Sequence, residues 1–205
     1  MKYGSAILLT STGLSSTKVL TYVNKYIAEL GSFPECIIVS TASENTNKNK
    51  YVKLAIEQFR GLGVAKISTL DILEEDIKKI RDNTILYVSG GNSFRLLDAA
   101  RKKNFRRTIE TVLSKNGIYI GVSAGSVILG KDTRVALDVY GDDNDIGLTD
   151  FTGLGFEQCM VCPHYTKEIR PRLEKYANDH KIKIISIADD NLVLLKVKYV
   201  KRNLY

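Results

Sequence analysis

The sequence predicts an α/β domain in three layers, a mostly parallel sheet with helices on both faces. Short, continuously apolar runs of strand length alternate with segments of helical periodicity, the pattern of strands covered on both sides. Two of those runs end in Gly/Ser-rich turns that lead straight into helices. The 205 residues are read as one such domain, spanning 1–205.

Taken in order, residues 6–9 form a buried strand that ends in the turn-rich Thr10-Ser11-Thr12-Gly13. Residues 16–30 are helical, with Val19, Leu20, Val23, Ile27 and Leu30 at helical spacing and Gly31 just beyond. Residues 36–40 form the second strand. A polar stretch, 43–50, leads into a helix with Val52, Ala55, Ile56 and Phe59 on one face, closed by Gly61 and Gly63. Residues 65–68 are a third strand, and Asp71 is expected to start a helix reaching about Ile80. A fourth strand, 84–88, breaks into Ser89-Gly90-Gly91-Asn92 and a helix from Ser93, with another helix over 105–113. Residues 118–120 are the next strand. Regularity then fails over 131–156. The acidic 141–145 lacks the glutamate and flanking helices of an EF-hand and reads as a surface loop. A strand over 159–162 ends in Pro163-His164-Tyr165, and a helix with Pro171 as a complication covers 166–179. Residues 182–187 and 192–200 are expected to close the chain as an antiparallel hairpin at the sheet edge.

Composition narrows the function classes. A hydrophobic fraction of 44% and a charged fraction of 26% suit an ordinary globular protein. No apolar run approaches the roughly 18 residues of a membrane span. The apolar run after Lys2 is too short for a signal peptide, so the expected location is cytoplasmic. A net charge of +7 would permit nucleic-acid binding, but the lysines are dispersed and no nucleic-acid motif accompanies them. Arg101, Lys102, Lys103, Arg106 and Arg107 read as a solvated helix face. Three cysteines argue against a disulfide framework. Cys159 and Cys162 form a C-x-x-C, but residues three apart on a strand face opposite sides. Neither a metal nor another cofactor is expected.

The chemistry concentrates in Gly121-Val122-Ser123-Ala124-Gly125. A G-x-S-x-G after a strand and before a helix forces a sharp turn that lifts the serine Oγ above the sheet. Glycine at both ends allows neighbouring backbone to approach where a Cβ would not fit. The Ala124 N–H would then point where an oxyanion forms, and Gly91 in the Gly-Gly-Asn turn is a natural second donor. A serine nucleophile needs a base. The chain has two histidines: His180 lies near a helix end, whereas His164 follows a strand and should emerge at the edge that carries Ser123. Asp189, just after a later strand, is the expected acid, with Asp190 as the alternative.

Together these residues resemble peptidase family S51, which includes aspartyl dipeptidase. The resemblance is carried by Tyr-Val-Ser-Gly-Gly-Asn-Ser-Phe-Arg-Leu-Leu from Tyr87, by Gly-Val-Ser-Ala-Gly-Ser from Gly121, and by Cys-Pro-His-Tyr from Cys162. It implies a fold like that of class I glutamine amidotransferases and flavodoxin, with Ser123 as nucleophile, His164 as base, Gly91 and Ala124 as oxyanion donors, and no metal. It places the acid at Asp189 and matches Asp138 to a candidate for substrate contact. An aspartyl specificity would call for a cation, for which Arg170 and Arg172 are candidates. Asn92, beside the oxyanion turn, could hydrogen-bond the substrate.

The expected function is a cytosolic serine peptidase acting through an acyl-enzyme on small peptides, N-terminal aspartyl dipeptides first among them, as a monomer or homodimer. An α/β-hydrolase esterase is the rival that shares the elbow. Its serine–acid–histidine order would require His180 with Asp142 or Asp150. An amidotransferase would want cysteine at Ser123. A non-catalytic binding protein on the same scaffold is a further alternative.

Overall fold

In a computed structural model, residues 5–31, 34–43, 49–75, 77 and 79–196 are described. The chain runs β1 (Ala6–Thr10), α1 (Thr17–Glu29), β2 (Glu35–Val39), α2 (Lys50–Gly61), β3 (Lys66–Leu70), β4 (Ile85–Val88), α3 (Ser93–Lys102), α4 (Phe105–Ser114), β5 (Ile118–Val122) and α5 (Ala124–Val127). A π-helical turn (Ala136–Tyr140), β6 (Met160–Cys162), α6 (Arg170–His180), β7 (Ile184–Ser186) and β8 (Leu192–Lys196) complete it. Six strands form the main sheet in the order β3-β2-β4-β5-β1-β8. All its pairs are parallel except β8 against β1.

The period-2 alternation of buried strands builds two cores. Ala6, Leu8, Ile38, Ile85, Ile118 and Ile120 face α1 and α2. Ile7, Leu9, Val39, Leu86, Val88 and Tyr119 face α3 and α4. No residue of β1, β2, β4 or β5 is exposed, which is why these runs read as unbroken apolar stretches. The α/β reading of the sequence therefore holds, with a doubly covered parallel sheet. Among the described residues, no helix is long and apolar enough to cross a membrane.

Three expectations are corrected. Asp71 starts a single turn over 72–74 and not a helix to Ile80. Its Oδ1 accepts the Leu73 N–H at 3.0 Å and the Thr41 hydroxyl at 2.9 Å, a local turn that competes with helix. Asp76 and Lys78 lie outside the described residues. The late helix begins only at Arg170, because Pro171 is tolerated in the first turn and not further in. The closing hairpin does not form. β7 instead pairs in parallel with β6 as a separate two-stranded sheet, and β8 pairs antiparallel with β1. The reason lies in β8: Leu192 and Leu194 pack on one core while Val193 and Leu195 pack on the other. Such a strand needs a place between both helical layers. The expected continuation over 197–200 lies outside the described residues.

The irregular 141–156 is laced to α3 and α4 by their basic residues. Arg95 pairs with Asp145. Arg101 Nη1 donates to the Asp150 carbonyl at 2.7 Å and its Nη2 donates to Thr152 O. Arg106 donates to Leu154 O and stacks 4.8 Å from the centre of the Phe156 ring. Arg101 and Arg106 are thus clamps rather than the solvated face their clustering suggests. Arg101→Ala should free this loop, speeding limited proteolysis within 141–153 while lowering stability in urea by only about 1–2 kcal/mol, the scale of charge-assisted hydrogen bonds at a partly exposed site.

Candidate active site

β5 lies between β4 and β1, and its carboxyl end delivers Ser123 with φ +46° and ψ −108°. That conformation lies outside the broad regions allowed to side-chain-bearing residues and costs on the order of 1–3 kcal/mol. Backbone packing imposes it. A Cβ on Gly121 would stand 2.6 Å from the Gly125 carbonyl oxygen, and one on Gly125 would stand 2.4 Å from the Val88 carbonyl oxygen. Both glycines of the motif are therefore contact surfaces between strand and helix.

Buried hydrogen bonds hold the elbow. The Ser123 N–H donates to the Thr10 carbonyl at 3.0 Å. Ser126 Oγ accepts the Thr10 N–H at 3.1 Å and lies 2.9 Å from the Gly121 carbonyl oxygen. The Thr10 hydroxyl donates to Gly121 O at 2.7 Å, and Tyr119 Oη donates to Gly125 O at 2.6 Å. Four residues thus tie β1, β5 and α5 around one strained peptide.

His164, two residues past the end of β6, also has a left-handed backbone, at φ +55°. Its Nε2 lies 3.0 Å from Ser123 Oγ and its Nδ1 lies 2.8 Å from Asp189 Oδ1. An ionised Asp189 can only accept, so the neutral ring carries its proton on Nδ1 and leaves Nε2 free to accept from the serine. The carboxylate at the ring belongs to Asp189; the neighbouring Asp190 uses its carbonyl to accept the Ser16 hydroxyl at 3.3 Å. The parallel register sets this meeting. Cys162 opposes Ser186 across β6 and β7, so His164 and Asp189 leave the same end of one small sheet.

The Gly90–Gly91 turn lies against the serine, since a Cβ on Gly90 would come 3.1 Å from Ser123 Cβ. Gly91 has φ +144°, and a Cβ there would meet the Ala42 carbonyl oxygen at 2.0 Å. Ala124, the other expected donor, opens α5 directly after Ser123. Asn92 is engaged within the protein. Its Oδ1 caps α3 by accepting from Phe94 and Arg95 N–H at 3.0 and 2.9 Å, and its Nδ2 donates to Asp143 O at 2.6 Å.

The remaining expected contacts sit on the π-helical turn and α6. Asp138 Oδ2 accepts the Tyr176 hydroxyl at 2.9 Å, and Arg172 donates to the Asp138 carbonyl. Burial, then the bond to Asp138, pushes the Tyr176 phenol well up. Arg170 forms an i,i+4 pair with Glu174 at 2.7 Å on an exposed face. The structure therefore joins Arg172 with Asp138 and leaves Arg170 on the solvated side of its helix. His180 stacks on Tyr176 with ring centres 4.2 Å apart, and Asp150 is paired with Arg101, so the serine–acid–histidine order of an α/β-hydrolase is not assembled. Cys159 and Cys162 are free thiols; burial pushes Cys162 up to about 12, a poor nucleophile.

A doubly covered parallel sheet thus carries a strained serine at a strand–helix elbow, in reach of a histidine paired to a carboxylate, an arrangement able to support serine-type hydrolysis. The comparisons make the class specific. The model of peptidase family S51 matches residues 6–201, and the chain belongs to that family and is a peptidase. An uncharacterized peptidase of Listeria monocytogenes is 28% identical over 171 residues, covering 79% of this chain and 82% of the relative. A peptidase E of Shewanella amazonensis is 27% identical over 165 residues, covering 78% and 67%. A crystal structure from Listeria monocytogenes assigned by name to peptidase E superposes with a TM-score of 0.71 at 22% identity, covering 96% of both chains. A peptidase structure from an acI-B1 actinobacterium gives 0.70 at 18% identity, covering 95% and 84%.

The sequence offered no pointer to Ser11 and Thr12 beyond a hydroxyl-rich turn, yet both reach this site. Ser11 Oγ accepts the His164 N–H at 3.0 Å, and the Thr12 hydroxyl donates to the Asp189 carbonyl at 2.8 Å.

The elbow predicts its own fragility. Gly125→Ala must push its new methyl group against the Val88 backbone, so it should destabilise by about 3 kcal/mol or prevent folding, at or beyond the upper end of overpacking costs. Gly141→Ala, with nothing near its added methyl, should cost only about 1 kcal/mol for its left-handed backbone. Urea unfolding of the two variants checks the ranking.

Proposed function

We propose that Ser123, His164 and Asp189 are the catalytic triad of this peptidase, and that it hydrolyses small peptides through an acyl-enzyme. The carrying observation is the unbroken chain from Asp189 Oδ1 through His164 Nδ1 and Nε2 to Ser123 Oγ, at 2.8 and 3.0 Å. Ser123 Oγ attacks the scissile carbonyl as His164 takes its proton. The proton passes to the departing amine as the C–N bond breaks, and water, activated by the same imidazole, then releases the acid product. The N–H groups of Gly91 and Ala124 receive the oxyanion: the first is on the turn packed against Ser123, the second at the start of α5.

Ser123→Ala should lose roughly 10⁴-fold or more in kcat/KM with unfolding unchanged. His164→Ala should approach the same floor, and His180→Ala should stay at the wild-type rate. Activity should fall towards acid pH, because a protonated Nε2 cannot accept the serine proton. Steady-state kinetics of the purified variants test all of this, and hydrolysis by Ser123→Ala at the wild-type rate would end the assignment.

For the substrate, the likeness to aspartyl dipeptidases supports an N-terminal aspartyl residue. Asp-X, Glu-X, isoaspartyl and Ala-X dipeptides assayed side by side should give Asp-X the highest kcat/KM. Arg172→Met should lower the Asp-X to Ala-X ratio through its contact at Asp138, whereas Arg170→Met, which breaks only a solvated pair, should leave it unchanged. Equal rates on Asp-X and Ala-X would remove the aspartyl assignment and leave the peptidase.

A further inference from the structure

The three proposed catalytic residues come from two sheets. Ser123 ends a strand of the main sheet, while His164 and Asp189 follow the strands of the small one. Nothing in the register of either sheet sets the distance between them. The turn after β1 spans that joint. Thr10 accepts the Ser123 N–H through its carbonyl at 3.0 Å. Ser11 Oγ accepts the His164 N–H at 3.0 Å and donates to the Ile187 carbonyl at 2.7 Å. The Thr12 hydroxyl donates to the Asp189 carbonyl at 2.8 Å. Three consecutive residues, the last of β1 and the first two of the turn after it, thus each hold the backbone of one member of the triad.

The bonds around Ser11 are more than surface decoration. Ser11 is 1% exposed, and its single hydroxyl both accepts and donates, so its donor and one of its two acceptor sites are used inside the protein. The loop it holds is wound around Ile187. That residue donates its N–H to Cys162 O at 2.8 Å and accepts the Tyr165 N–H at 3.0 Å. The left-handed His164 sits between these two anchors, with its own N–H directed to Ser11. Further along the turn and the helix it leads into, Ser16 donates to the Asp190 carbonyl at 3.3 Å and Lys18 donates to Asn191 Oδ1. The strand-to-helix turn is therefore bonded along the whole segment that carries the proposed acid, which itself is 62% exposed and has little packing to hold it.

We propose that Ser11 and Thr12 are positioning residues of this peptidase, setting where His164 and Asp189 stand relative to Ser123. The proposal rests on the triad reading above. Displacing a base by about 1 Å costs on the order of 100-fold in rate, so hydroxyls that never touch substrate can govern turnover.

The test follows the rate at which a fluorophosphonate probe inactivates the full-length protein, which needs no knowledge of the natural substrate. Ser11→Ala should lower the maximal inactivation rate roughly 10- to 100-fold, and Thr12→Val about tenfold, with the half-saturating probe concentration unchanged. Thr12→Ser, which keeps the donor, should restore the rate. In an Asp189→Asn background, Thr12→Val should cost less than about twofold, because a group acting through Asp189 loses its lever when the carboxylate is gone. Should Ser11→Ala fail to fold, the half-buried Thr12 variants carry the test alone. A folded Thr12→Val that reacts at the wild-type rate, or a loss that is undiminished in the Asp189→Asn background, would overturn the proposal. Inactivation that persists in Ser123→Ala would instead overturn the triad reading, and the proposal with it.

Discussion

The contact between backbones at the elbow is the constraint from which the rest of the structure follows. β5 and α5 approach until the Gly121 Cα faces the Gly125 carbonyl, and α5 in turn rests on the Val88 carbonyl of the adjacent strand. No side chain fits in either interface. The chain must therefore pass from strand to helix within one residue, and that residue, Ser123, is driven into a conformation it would not otherwise adopt. The price in strain is met by Ser126, Thr10 and Tyr119, whose hydroxyls bind the Gly121 and Gly125 carbonyls that flank the serine. The same geometry that strains the serine also lifts its Oγ clear of the sheet.

A second strained residue answers the first. His164 stands at φ +55° beyond β6 as Ser123 stands at φ +46° beyond β5, and their side chains meet, Nε2 to Oγ at 3.0 Å, past the carboxyl ends of their strands, where ligands of open α/β sheets bind. The small sheet carries the histidine and the acid together. Its parallel pairing places Cys162 beside Ser186, so their spacing is set by ladder register rather than by loop chance. The two sheets meet at β1: its last residue, Thr10, accepts the Ser123 N–H, and the turn that follows bonds to His164 and Asp189.

Three of the chain's 30 lysines and arginines serve as internal stitching. Arg95, Arg101 and Arg106 hold an otherwise irregular segment against α3 and α4 through carbonyl oxygens and carboxylates. Arginine suits this task because its planar fork can reach two acceptors at once. The segment so held also meets the N-terminus of α3, where the Asn92 amide donates to Asp143 O.

Much of this was legible in the linear chain. Doubly buried strands leave apolar runs, a strand–helix elbow with backbone contact demands glycine two residues either side of the serine, and a histidine placed just after a strand must surface at the sheet's carboxyl edge. Each of these is a local rule, so residue order suffices to apply it, and the family resemblance rested on the same local motifs. Partner choice over long distance was not legible. That Ile184 joins β6 while Leu192 joins β1, that Asp189 rather than Asp190 reaches the imidazole, that Asn92 caps a helix, and that Ser11 and Thr12 grip the far side of the site all depend on which surfaces meet after collapse. A hydroxyl or a short apolar strand carries no mark of its eventual partner. Only the packing of both cores, which leaves β8 a place beside β1 and β7 a place beside β6, assigns it one.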